Sequence, residues 1–268
     1  MGDSSTRPFA VVTGASSGIG FELARQFVQH GYDVLVAAED AELDTAATNL
    51  RRDSGATVTA VRVDLTQPEG VERLYQEITT TGRPVDAVAL NAGVGQGGDF
   101  ARQTDLSDEL VIIDLNCRST VHLAKRVVPD LVRRGSGRVL FTSSIASTMP
   151  GTYQAVYNAS KSFVQSFAEA LREELKDTGV TVTSLMPGPT DTEFFERADL
   201  EDTKLAKKKD DPAEVARQGF EAMMKGDAKV VAGSLLNKVQ AAGGRLIPDA
   251  VKARLHGEMA RPGSGSGS

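Results

Sequence analysis

One cysteine, three histidines and no apolar run of membrane-spanning length narrow the possibilities before any motif is read. Cys117 has no partner for an intrachain disulfide, and there is no thiol cluster that could make a zinc site. His30, His122 and His256 show no ligand spacing; His30, just before Gly31, reads as a helix terminus and Cys117 as a small core residue. No metal site is expected. An excess of positive charge is missing too: 30 Lys and Arg against 36 Asp and Glu leave a formal charge of −6, which offers nothing to nucleic acid or anionic lipid. The segment before Pro8 lacks the apolar stretch of a signal peptide, and no run approaches the roughly 18 apolar residues of a membrane helix. The expectation is a cytoplasmic protein.

What is present is an ordinary globular composition, 40% hydrophobic and 25% charged over 268 residues, enough to bury a sizeable core in one domain. Short valine-rich runs alternate with longer helical patterns: Phe9 to Val12, Val34 to Ala37, Val58 to Val63, Val85 to Leu90, Arg138 to Thr142 and Val180 to Met186, with Lys229 to Ala232 as a further candidate. Apolar strands of this kind, separated by helices, predict a doubly wound α/β fold with a mostly parallel sheet covered on both faces. Thr66-Gln67-Pro68-Glu69 and Asp211-Pro212-Ala213-Glu214 each read as a helix N-cap with a reciprocal glutamate. The expected organisation is a tail at 1–7, one domain at 8–260 with a substrate lid near 190–211 and a helical extension at 233–260, and a flexible Gly/Ser linker at 261–268.

Directly after the first strand comes Thr13-Gly14-Ala15-Ser16-Ser17-Gly18-Ile19-Gly20, and a helical pattern follows to His30. Glycines let a backbone turn tightly and approach a pyrophosphate, while the following helix aims unpaired N–H groups and a positive dipole end at that charge. Gly14, Ser16, Ser17, Gly18, Ile19 and Gly20 are therefore the candidate phosphate-loop residues, the plainer reading being a structural glycine turn.

Further on, Tyr157 and Lys161 stand four apart at the start of a helical stretch, so both project from one face. An ammonium beside a phenol favours the phenolate and brings tyrosine into the range of acid–base chemistry. The spacing is common by chance, but Ser143-Ser144 ends the fifth strand and Asn91-Ala92-Gly93 the fourth, and strand carboxyl ends are where such sheets bind ligands.

In this order, TGASSGIG, NAG, SS, YNASK and Pro187-Gly188 resemble a short-chain dehydrogenase/reductase, from Pro8 to about Ala232. The resemblance implies a single-domain Rossmann fold of six or seven strands in the order 3-2-1-4-5-6-7. It implies hydride transfer between NAD(P) and a secondary alcohol or its ketone or aldehyde, with Tyr157 as acid/base, Ser144 holding the substrate oxygen and Lys161 binding the nicotinamide ribose while lowering the tyrosine pKa. Asn116 matches an asparagine that holds a relay water. Asn91, Ala92 and Gly93 would line the cofactor, Asp64 with Leu65 would meet adenine, and Pro187, Gly188, Thr190 and Thr192 would surround the nicotinamide. Ser144, Asn116 and Asp64 could instead simply satisfy nearby backbone groups.

Cofactor choice is set where Glu39 follows the second strand: an acid accepts from the ribose 2′-OH and repels a 2′-phosphate, which favours NAD(H) over the alternative NADP(H). The family's usual acidic position holds Ala38. Val94 to Thr104, Ile145 to Val156 and the segment with Phe194 and Phe195 suggest a pocket for a carbonyl or alcohol with apolar substituents, unless the phenylalanines only pack the lid. A homodimer through Asn116 to Arg134 and Tyr157 to Asp177 is expected, a homotetramer being the alternative. Two other functions stay open: a catalytically silent dinucleotide-binding regulator or scaffold, and a same-fold epimerase or dehydratase.

Overall fold

Runs of valine, alanine and leucine with no polar face make strands that must be covered on both sides. In the computed structural model, which describes residues 7–207, 209–234 and 248–266, β1 (Phe9–Thr13), β2 (Asp33–Ala38) and β4 (Ala87–Leu90) are buried at every position. β5 (Gly137–Thr142) and β6 (Val180–Pro187) continue the layer, and the edges are β3 (Val58–Arg62) and β7 (Lys229–Ala232), where polar residues reach solvent. The seven strands are all parallel, in the order β3-β2-β1-β4-β5-β6-β7. The expected order holds, and Lys229–Ala232 is the seventh strand.

Alternation along each strand feeds two separate cores. Phe9 and Val11 face Leu74 of α3 (Pro68–Thr80), Leu123 of α5 (Thr120–Arg134) and Val164 of α6 (Ala155–Glu174). Ala10 and Val12 face the opposite way, toward Leu23 of α1 (Gly18–Gln29), Leu50 of α2 (Glu42–Ser54) and Phe220 of α8 (Pro212–Lys225). Each fully buried leucine or phenylalanine contributes about 2 kcal/mol. Because the chain leaves β1 toward β2 and returns later to β4 on its other side, a crevice opens between the carboxyl ends of β1 and β4.

Helix boundaries follow local chemistry, with one departure. Asp211 caps α8 by accepting the Ala213 N–H at 2.9 Å, and Gly226, at φ +73°, stops it. Thr66 does not cap α3, because Asp64 captures both its N–H (2.8 Å) and its hydroxyl (2.6 Å); Gln67 takes the N-cap position without a side-chain bond. Between α4 (Leu106–Ile112) and α5 the chain widens into a π-helical stretch, Ile113–Ser119, with Asn116 at its centre.

Two outer segments complete the cavity wall. Short α7 (Phe194–Arg197) packs Phe195 with Ala198 and Leu200 in a small cluster of its own. At the C-terminal side, α9 (Asp249–Ala260) forms one of the two helical patterns expected after Ala232; the one beginning at Leu235, and Leu246 and Ile247, lie outside the described residues. Within 261–268, expected to be a flexible linker, the Gly263 N–H donates to the Asp202 carboxylate at 2.7 Å. Among the described residues no helix is long and apolar enough to cross a membrane.

Candidate active site

The crevice at the strand ends is a cavity of about 300 Å³, and its wall contains every residue expected at the cofactor, from Gly14 through Thr192. Thr13 organises its floor. The Thr13 hydroxyl accepts the N–H groups of both Asn91 and Ala92 at 3.0 Å, and the Asn91 amide donates back to the carbonyls of Thr13 (3.1 Å) and Gly14 (3.3 Å). Thr142, from β5, donates to the other end of Asn91 at 3.0 Å. Three strand ends are thereby fixed in register, with Asn91 as the tie rather than a group facing ligand alone.

The glycines are required by contact as well as by torsion. A Cβ on Gly20 would lie 1.9 Å from the Gly14 carbonyl oxygen, and Gly14 itself sits at φ +64° with Ala92 Cα 2.8 Å from its would-be Cβ. Ser17 at the N-cap of α1 makes no side-chain cap bond, so the first-turn N–H groups are left for a ligand. Beyond β2, Ser16 donates to Asp40 at 2.8 Å, while the second oxygen of Asp40 is buried with no partner. A loop that only a Cβ-free backbone can form, uncapped helix N–H groups and an orphaned carboxylate oxygen fit a dinucleotide; sequence reasoning named Glu39 and passed over Asp40.

At the reacting end, β5 delivers Ser144 and α6 delivers Tyr157 and Lys161. Ser143, beside Ser144, donates to the Lys161 carbonyl at 3.1 Å and so staples α6 to the strand end. Ser144 Oγ accepts the Ala146 N–H at 3.1 Å and donates to the Pro187 carbonyl at 3.4 Å, on the same cavity wall as the Tyr157 phenol. Burial pushes the Tyr157 phenol up to about 12, partly opposed by Ser144. Burial also pushes the Lys161 ammonium down to about 8. Desolvation outweighs the lowering of the tyrosine expected from the lysine. Lys161 Nζ stands 5.9 Å from the phenol ring centroid and donates to the Thr142 carbonyl at 3.0 Å, so desolvation dominates the phenol.

Asn116 is almost fully enclosed, 1% exposed, beneath the cavity wall. Its Oδ1 accepts the Val94 N–H at 2.9 Å, and its Nδ2 donates at 2.9 Å to both the Val94 carbonyl and Ser160 Oγ, so the side chain positions Val94. Asp64 reaches the wall, although its carboxylate is engaged with Thr66. Phe194 lies over Tyr157 with ring centroids 5.1 Å apart, a closeness that Gly95 permits, since a Cβ there would meet Phe194 at 2.5 Å.

Several wall residues were missed. Thr142 was read only as the end of a strand and Gln154 only within the Ile145 to Val156 pocket segment, neither with a role of its own, and His256 and Met259 arrive from α9, about a hundred residues beyond Tyr157, with no spacing signal to announce them.

A parallel sheet in this order, a glycine loop after β1 and a half-buried tyrosine beside a buried lysine at the strand ends together define a nicotinamide-dependent short-chain oxidoreductase. The sequence pattern of short chain dehydrogenases matches residues 8–203, and the chain belongs to that family. It is similar to the 1-deoxy-11-beta-hydroxypentalenate dehydrogenase of Streptomyces exfoliatus, 39% identical over 186 residues covering 68% of this chain and 67% of the relative. It is also similar to the NADP-dependent 3-hydroxy acid dehydrogenase of Salmonella typhi, 30% identical over 66% of this chain and 71% of that one. A short-chain dehydrogenase from Sphingobium yanoikuyae, solved in complex with NADPH, superposes with a TM-score of 0.77 at 29% identity, over 84% of this chain and 87% of that one. The protein is an NAD(P)-dependent dehydrogenase acting on hydroxy and keto substrates.

Proposed function

We propose that the protein reduces ketones, or aldehydes, to alcohols, with Tyr157 as proton donor and NAD(H) as the favoured cofactor. The observation that carries this reading is Ser144, Tyr157 and Lys161 gathered on one wall of the crevice at the strand ends; the phenol, pushed up by burial, is protonated near neutrality and can give a proton to a carbonyl oxygen. Oxidation needs the phenolate, which forms only when something further favours it. When bound, the nicotinamide supplies the hydride. Ser144 can exchange its long 3.4 Å bond to Pro187 for one to the substrate oxygen. Lys161, held beside Gly93 and Thr142, stabilises negative charge developing near the phenol. Asn116 acts at one remove by fixing Val94. Apolar wall residues such as Ile145, Met149, Leu200 and Leu205 suit a substrate with apolar substituents. Loss of reduced-nicotinamide absorbance with a panel of ketones tests this reading; cofactor binding without turnover of any of them would defeat it.

The NAD(H) preference rests on Glu39 and Asp40, both on the cavity wall after β2. The cationic residues on the wall are Lys161 and Arg197, the first donating to Thr142 and the second paired with Glu193, so neither is free for a 2′-phosphate. kcat/KM is expected to be at least about tenfold higher with NADH than with NADPH, an opposed carboxylate being worth more than about 1.4 kcal/mol there. A preference for NADPH, which the similar Sphingobium protein binds, would overturn it.

A homodimer is proposed on the exposed apolar face of α4 and the π-helical turn. Leu106, Leu110, Val111 and Ile113 are exposed there, and Phe163 on α6 is 45% exposed. That face begins before the Asn116 to Arg134 range expected for the interface. Sedimentation should give a dimer that Leu110→Lys converts to monomer; a monomeric wild type would refute the proposal.

A further inference from the structure

α9 is tied to the loop that leads into the catalytic helix. Thr152 donates its hydroxyl to the Ala253 carbonyl at 2.8 Å, and Lys252 donates to the Thr148 carbonyl at 3.4 Å. This docking brings His256 and Met259 to the cavity wall, beside Gln154 from the start of the loop-to-helix turn.

His256 is 4% exposed, and its Nδ1 lies 3.0 Å from the Thr152 carbonyl. A carbonyl can only accept, so Nδ1 carries the hydrogen. Burial lowers the pKa of the ring, which keeps it neutral and leaves Nε2 as a lone-pair acceptor. Nε2 has no hydrogen-bond partner among the described residues and is not fully enclosed, and the residue it belongs to lines the cavity. Gln154 repeats the pattern: 5% exposed, on the same wall, with a side-chain amide that caps nothing and is not enclosed. Two nearly buried polar side chains thus bring unspent hydrogen-bonding capacity to a pocket otherwise walled by Met149, Phe194, Leu200 and Met259.

We propose that His256 and Gln154 are specificity-determining residues that receive a hydroxyl group of the substrate, a second polar contact besides the oxygen held by Ser144 and Tyr157. The hydroxyl donates to His256 Nε2 and accepts from the Gln154 amide. A carboxylate fits less well, because Nε2 of a neutral ring offers it no proton and the wall cations, Lys161 and Arg197, are engaged with Thr142 and Glu193. The substrate class is therefore a hydroxyketone, or the corresponding diol. This inference rests on the carbonyl-reduction reading above.

The test uses aryl methyl ketones, each paired with its hydroxyl-bearing counterpart, with the spacing between carbonyl and hydroxyl increased stepwise. Wild type should prefer the hydroxylated member of at least one pair. His256→Phe should lower kcat/KM for that member about 10- to 100-fold and leave the plain ketone within about twofold. Gln154→Leu should act in the same direction, and it stands in if His256→Phe does not fold. His256→Gln, able to place an acceptor near the Nε2 position, should keep the preference; His256→Asn, able to replace only the Nδ1 bond to Thr152, should lose it. Rescue by asparagine but not glutamine, or equal loss on both members of a pair, would mean a structural role and overturn the inference. Equal use of plain and hydroxylated ketones by wild type would overturn it alone. Turnover of no ketone at all would remove it together with the reading beneath it.

Discussion

Replacing Tyr157 by phenylalanine is expected to lower kcat for carbonyl reduction by about 10²- to 10⁴-fold while leaving the cofactor dissociation constant unchanged. The phenol is a protonated acid on the same cavity wall as Ser144 at the reacting end, so the variant must take its proton from water. Little else changes. Ser144 keeps the Ala146 N–H and the Pro187 carbonyl as partners, and the ring keeps its packing on Phe194, so stability should move by no more than about 1 kcal/mol. Cofactor titration by fluorescence and single-turnover absorbance separate binding from chemistry. Full activity in Tyr157→Phe would remove the proposed proton donor, whatever the fate of the hydride.

How much of this could be read in advance depends on how local each signal is. The sheet could be read because burial on both faces forces nearly continuous apolar strands, and the glycine loop because a Cβ on Gly20 would collide with the Gly14 carbonyl, which leaves only one residue type. Tyr157 and Lys161 were legible because one helical turn fixes their relation. Their electrostatics were not. Whether an ammonium lowers a phenol or shares its desolvation depends on a few ångströms, and Lys161 had been drawn to the Thr142 carbonyl. The hold of Asn116 on Val94 was not legible for a related reason: a motif does not record which backbone groups a side-chain amide meets. Gln154 was legible only as part of the Ile145 to Val156 pocket segment, and His256 reaches the site only by the docking of α9, a long-range contact that no periodicity encodes.

Lys161→Met should separate catalysis from stability in opposite directions. Activity falls, by about 10²-fold or more, because the charge that steadies the developing phenolate is gone. Stability near neutral pH should rise. The wild-type ammonium is 6% exposed and held near 8 by burial, whereas an unfolded lysine titrates near its ordinary 10.5. That difference is an unfavourable contribution of about 3 kcal/mol, fully present below pH 8, of which the unpaired Thr142 carbonyl in the variant returns about 1–2 kcal/mol. Between about pH 8 and 10.5 the unfolded chain binds more protons than the folded one at this site, so wild-type stability climbs with pH and the advantage of methionine shrinks. Above that window Tyr157, with its folded pKa near 12, pulls the other way in both proteins and cancels in the comparison. Urea unfolding of the two proteins at pH 7 and pH 10 should therefore show a gap of about 1–2 kcal/mol in favour of methionine that closes or inverts at the higher pH. A methionine variant less stable by the same amount at both would mean that the lysine is held in place by favourable contacts rather than against its desolvation.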